Sequence, residues 1–137
     1  MQMEGWNVID PDAGILWREY SFSKRARATM LVFRGTDGVN PLLNNGTSVL
    51  YYHPQSRELA EAIQAELLPR TGLSDRGVWH QNVAVLRMNE MPAVLVESVF
   101  MMIPEQEAGL RTPEFRRRIA EGVAEGIERY LRKVEAR

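Results

Sequence analysis

The sequence predicts an α/β fold: a mostly open sheet with flanking helices. Three observations carry that expectation. Short apolar or β-branched runs at 48–52, 83–86 and 93–96 alternate with helical patterns, the order of a sheet covered by helices. The run Ala93-Val94-Leu95-Val96 is apolar without alternation, as in a strand buried on both faces. The long segment from Pro113 onward repeats apolar residues at helical spacing, so it can lie on such a sheet.

Taken in order, residues 1–29 are the least patterned. Pro11, Asp12 and Gly14 mark a turn, and residues 16–28 read as weakly helical. Met30-Leu31-Val32-Phe33 reads as a short buried strand, followed by a polar connection over 34–47 rich in Gly, Asn and Asp. Ser48-Val49-Leu50-Tyr51-Tyr52 has the composition of a strand. His53-Pro54-Gln55 turns, and Ser56 is placed to cap a helix through its hydroxyl. That helix carries Leu59, Ala60, Ile63 and Leu67 on one face and is expected to stop at Pro69 and Gly72. Val83–Leu86 reads as a strand, Met88–Pro92 as a connection, and residues 93–96 as the most buried strand. Glu105 and Glu107 suit the first turn of a short helix. Thr112 is an N-cap candidate and Pro113 a first helical residue; Phe115, Ile119, Val123, Ile127, Tyr130 and Leu131 form the stripe of the last helix.

Bulk composition narrows the function classes. The 137 residues suit one domain, 1–137, with 1–35 as a divergent N-terminal segment. Seventeen basic and eighteen acidic residues give a net charge of −1, which points neither to nucleic acid nor to an anionic membrane surface. There is no cysteine, so no disulfide, thiolate metal site or cysteine nucleophile exists. The first residues, MQMEGWNVIDPDAG, lack the basic and apolar segments of an export signal.

The candidate for chemistry is Glu97. It ends an apolar strand, and a carboxylate inside an apolar layer would lose several kcal/mol of hydration. It must therefore stand where the strand leaves the core. In open α/β sheets that rim is where ligands bind, and a carboxylate there suits general acid or base work. The plain alternative is a structural ion pair with Arg76 or Arg87.

Four segments then point to a family. GTSVLYYHPQSRELAEAI, TGLSDRGVWHQNVAVLR, MPAVLVESVFMMIPEQEAGL and FRRRIAEGVAEGIERYL, in that order, resemble the C-terminal part of the zinc-dependent N-acetylmuramoyl-L-alanine amidases, the peptidoglycan hydrolases. The resemblance covers 46–131. It implies an amidase or zinc-exopeptidase-like sheet, incomplete at the N-terminus, acting on the amide between N-acetylmuramic acid and L-alanine. By matching position it implies that Glu97 is the catalytic general base. It places Arg76, in SDRGV, near the site mouth, where it would bind the carboxylates of the stem peptide. Peptidoglycan or muropeptides are the implied partners, with no role for nucleic acid or membrane, and the implied location is periplasmic or extracellular.

The family's zinc ligands are two histidines and a glutamate from the first half of the domain. Their motifs are missing here, and Arg34-Gly35-Thr36 follows the strand where one of the histidines is expected. Only His53 and His80 exist, in a turn and in a loop; with Glu97 they would form a metal trio only by coincidence. So zinc is expected for the family, but the chain is not expected to supply a complete zinc site. The alternative to an active amidase is an inactive remnant that binds peptidoglycan or a partner without turnover. Loss of the family's first strand would expose a sheet edge, to be covered by the helix expected at 16–28 or by a second copy in a homodimer.

Overall fold

The computed structural model describes residues 16–22, 26–32, 45–87, 91–100 and 103–137. The strands are β1 (Leu16–Phe22), β2 (Ala26–Val32), β3 (Thr47–Tyr51), β4 (Asp75–His80) and β5 (Ala93–Glu97). They form one five-stranded sheet in the order β1-β2-β5-β3-β4. The central strand β5 runs parallel to β2 and antiparallel to β3, and β4 runs parallel to β3. Among the described residues four α-helices accompany them: α1 (Arg57–Thr71), α2 (Ala84–Arg87), α3 (Pro104–Arg111) and α4 (Pro113–Glu135).

The register sorts side chains onto two faces, because residues paired across a sheet point the same way. Val49 is opposite Val96 and Val78, and these belong to the face covered by α1 and α4. Leu59, Ala60, Ile63 and Leu67 of α1 meet Phe115, Ile119, Val123, Ile127 and Leu131 of α4 in that core. Leu50, opposite Leu95 and Trp79, belongs to the other face, which the short α2 covers through Leu86.

Helices α1 and α4 touch closely because Gly122 and Gly126 fall on one side of α4. A Cβ at position 126 would lie 2.5 Å from the Cα of Ile63. At the start of α4 the Thr112 hydroxyl accepts from the Phe115 N–H at 3.3 Å, and Pro113 follows, as the sequence leads one to expect.

Several expectations are corrected. Residues 16–28 are not a helix: β1 and the first three residues of β2 fall there, and the two strands pair antiparallel, with Leu16 opposite Val32 and Phe22 opposite Ala26. The weak helical period gives way to sheet pairing, since β2 finds a parallel partner in β5 and β1 extends the row. The edge of β2 expected to be covered by a helix is therefore covered by a strand. Val83–Leu86 is not a strand. The Val83 carbonyl accepts from the N–H groups of Leu86 and Arg87, closing a helical turn. Both flanks of β5 are already taken, so this apolar run covers the sheet instead of joining it.

The strand beyond β3 is β4, in a stretch expected to be loop. Pro69 does not end α1; the helix continues to Thr71, and Gly72 closes it at φ 69° with its N–H on the Leu68 carbonyl at 3.0 Å. The Ser56 hydroxyl makes no cap bond. It accepts instead from the buried N–H of Ala93 at 3.0 Å, tying the start of α1 to the start of β5. The connection over 34–44, with Arg34-Gly35-Thr36, and Met101 and Met102 lie outside the described residues.

Candidate functional site

Glu97 stands at the carboxyl end of β5, half-buried. Directly across the antiparallel pair is Ser48, whose hydroxyl donates to Glu97 Oε2 at 3.3 Å. Ser48 is only 1% exposed, so one carboxylate oxygen is held from inside the sheet while the residue as a whole keeps solvent access. The register puts Glu97 on the face opposite α1 and α4, in line with Leu95 and Leu50. Among the described residues no ion pair joins Glu97 to Arg87, the partner considered from sequence; the Arg87 backbone carbonyl meets His53 Nε2 at 3.0 Å.

The backbone around this end of the sheet is fixed by buried amides. Gln106 of α3 accepts the Phe100 N–H at 2.7 Å and donates to Asn45 Oδ1. Gln64 of α1 donates to the Thr47 carbonyl at 2.8 Å and to Asp75 Oδ1 at 2.7 Å. The Thr47 hydroxyl donates to the Ser98 carbonyl at 2.9 Å. Gly46 is obligatory here: its φ is +128°, and a Cβ would lie 2.2 Å from the Ser74 carbonyl oxygen. These contacts lock the turn after β5 against the starts of β3 and β4, so the backbone on either side of Glu97 is anchored.

Arg76 belongs to the same end. Strand β4 contains a register shift, in which Asp75 opposes Thr47 and Val78 opposes Val49, with one residue more on β4 than on β3. Gly77, at φ +83°, absorbs the irregularity. The Arg76 guanidinium lies over the Phe100 ring, 4.9 Å from its centroid. Phe100 follows Glu97 by three residues, so Arg76 and Glu97 flank one short stretch of chain.

The histidines do not join them. His80 is opposite Tyr51, which is opposite Val94, three residues before Glu97. That separation is about 10 Å along the strand. His80 stacks on Tyr52, with centroids 5.4 Å apart, and His53 meets Tyr52 edge-on at 4.9 Å. The trio His53, His80 and Glu97 is thus split between two ends of the sheet. Among the described residues no group of three or more His, Cys, Asp or Glu is placed to hold a metal ion. With no cysteine and no other histidine in the chain, the residues present do not fit the nitrogen-rich zinc site of the family.

A separate groove of about 330 Å³ runs between α1 and α4, lined by Glu58, Glu61, Arg129, Tyr130 and Lys133 among others. It belongs to the helical layer, across the sheet from Glu97. There the Arg137 guanidinium, bonded to both Glu58 oxygens at 2.8 Å, holds that carboxyl below the usual carboxylate range. Burial, with Glu58 nearby, pushes the Tyr130 phenol up.

Fold and site together define an α/β domain with an anchored carboxylate at the end of its central strand. The profile of the N-acetylmuramoyl-L-alanine amidase family matches residues 19–129. The chain is 31% identical over 87 residues to the Staphylococcus aureus protein named "Probable cell wall amidase LytH", covering 64% of this chain and 30% of that protein. Its structure is similar to the catalytic domain of CwlV, an amidase from Bacillus (Paenibacillus) polymyxa var. colistinus. The TM-score is 0.64 and the identity 33%, over 76% of this chain and 56% of that one. It is also similar to the N-acetylmuramoyl-L-alanine amidase AmiC2 of Nostoc punctiforme, with TM-score 0.66 and 30% identity, over 77% of this chain and 57% of that one.

This chain belongs to the N-acetylmuramoyl-L-alanine amidase family. It spans less than a third of LytH and little more than half of the two solved chains.

Ser48, Gln64 and Gln106 carry no signal in the sequence that marks them as site residues. Strand register brings Ser48 to Glu97, and Gln64 and Gln106 fix the neighbouring backbone at Thr47 and Phe100, although Ser48 lies in the GTSVLYY segment that carries the family resemblance.

Proposed function

We propose that this chain is a peptidoglycan-directed amidase domain in which Glu97 is the proton-transfer group. Its target is the amide between the lactyl group of N-acetylmuramic acid and the L-alanine of the stem peptide. The observation that supports this most is the carboxylate itself, half-buried at the end of β5, held by Ser48 and directed away from the main core. Such a group takes a proton from water attacking the amide carbonyl and returns it to the departing amine. Arg76, anchored at the same end, would attract the carboxylates of the stem peptide. Action would take place outside the membrane, where the polymer lies. A homodimer covering a sheet edge would use β1 or β4, the two outer strands, and equilibrium sedimentation tests it.

A second reading is favoured by the placement of His53 and His80 at the far end of the sheet. In it the domain binds muropeptide without turnover, because among the described residues no zinc ligand set stands beside Glu97. Incubation with a disaccharide–tripeptide muropeptide, followed by mass spectrometry and calorimetry, separates the two. Free tripeptide with a new amino-terminal alanine supports the amidase reading, and its suppression by a chelator would show that metal is recruited. Saturable binding with intact substrate supports the second reading.

A further inference from the structure

Trp79 is a large apolar side chain standing 55% exposed on the edge strand β4. Its position is not that of a loosely solvated residue. The indole Nε1 donates to the Arg76 carbonyl, so the ring folds back along β4. It passes beside Gly77 at ordinary van der Waals distance: a Cβ there would meet Nε1 at 3.8 Å. With its N–H already used, the indole offers solvent an apolar π-face.

The register says where that face lies. Trp79 is opposite Leu50, and Leu50 is opposite Leu95, so Trp79 shares the sheet face of Leu95 and Glu97. From Trp79 to Glu97 is two strand spacings across, about 10 Å, and two residues along, about 7 Å. Because β4 is parallel to β3, the backward fold of the indole toward Arg76 carries it toward the Glu97 end and shortens the second distance.

We propose that Trp79 is a stacking platform for an N-acetylhexosamine ring of the glycan strand. This rests on the peptidoglycan reading above. An amide seated at Glu97 has its peptide on one side and its sugar, through the lactyl arm, on the other. The indole stands on the same sheet face at a separation of that order. A pyranose presents a face of C–H groups, which matches an apolar ring whose polar edge is occupied. Arg76, whose guanidinium lies over Phe100 at the Glu97 end of the sheet, serves the peptide's charges, and Trp79 serves the uncharged sugar.

The test is calorimetric binding of two probes, a disaccharide–tripeptide muropeptide and the free tripeptide, to wild type, W79A and W79F. The expected result is a weakening of about tenfold for W79A toward the muropeptide only, with W79F retaining most of the affinity. The melting temperature of W79A should stay near that of wild type, since the side chain is largely outside the core. Equal muropeptide affinity in wild type and W79A overturns the platform and leaves the peptidoglycan reading standing. Equal loss for both probes also overturns it, because the residue would then serve the peptide. Self-association that disappears in W79A overturns it in favour of a second copy on this strand. Failure of wild type to bind either probe overturns the platform and the peptidoglycan reading together.

Discussion

Gly126→Ala is the substitution whose effect the structure defines most sharply. The added Cβ would lie 2.5 Å from Ile63 Cα and 2.9 Å from Ile63 N, atoms that cannot rotate away. Carbon atoms pack at about 3.5–4.0 Å, so α1 and α4 must part by about 1 Å or more where they hold the main core. Overpacking of this kind costs about 1–3 kcal/mol, and a backbone obstacle puts this site at the upper end. The gain in helix propensity from Gly to Ala returns about 1 kcal/mol. The net is about 2 kcal/mol lost, a fall in Tm of roughly 6–10 °C for a domain of this size.

Gly122→Ala is the internal control. Its Cβ would meet the Glu66 carbonyl oxygen and Leu67 Cδ2 at 3.1 Å and Arg70 Cδ at 3.2 Å, two of them movable side-chain atoms. Its net change should fall within about 1 kcal/mol of zero. Urea unfolding followed by circular dichroism at matched m-values measures both. A Gly126→Ala variant as stable as wild type, or one no worse than Gly122→Ala, would refute the close packing of these helices.

Three further outcomes follow from single contacts. Ser56→Ala removes the acceptor for the buried Ala93 N–H and should cost about 1–3 kcal/mol, with faster hydrogen exchange at Ala93 as the specific sign. Glu58, held below its ordinary pKa of 4.5 by Arg137, binds fewer protons folded than unfolded; its stabilisation is present above about that pH and lost as pH falls through the folded value. Thermal melts across acid pH should therefore show a shallower decline in Glu58→Gln than in wild type. Tyr130, raised above 10.0, acts in the opposite sense: stability is full below pH 10 and is lost as pH rises through the folded value, a loss that Tyr130→Phe removes.

The parts of the fold legible in the sequence are those where one physical signal dominates. Strand β5 announces itself by four apolar residues in a row, and α4 by its cap at Thr112 and its stripe from Phe115 to Leu131. Strand β4 is hidden because its alternation is broken at Gly77, where the register shifts, and four of its six residues are charged or exposed. Val83–Leu86 misleads because four apolar residues are too few to distinguish a strand from one helical turn; the decision is made by which sheet positions are vacant. Residues 16–28 mislead for the same reason in reverse, since strand pairing, anchored on β5 through β2, decides their state, while Met30–Val32 is legible as a strand.

The candidate site divides along similar lines. Glu97 is legible because a charge at the end of an apolar strand has few places to go. Ser48, Gln64 and Gln106 are ordinary polar residues until the register and the turn after β5 bring them to Glu97, Thr47 and Phe100 respectively, and no local pattern encodes those meetings. The separation of the histidines from Glu97 likewise follows from strand direction, which spacing along the chain does not reveal.

The central claim is that the Glu97 carboxylate cleaves the muramoyl–alanine bond. It is tested most directly by the rate at which wild type and Glu97→Gln, both shown to be folded, release new alanine amino groups from purified peptidoglycan. The account predicts measurable release by wild type and a loss of about 100-fold or more in the variant. Equal rates in the two proteins, or no release by wild type, would contradict it.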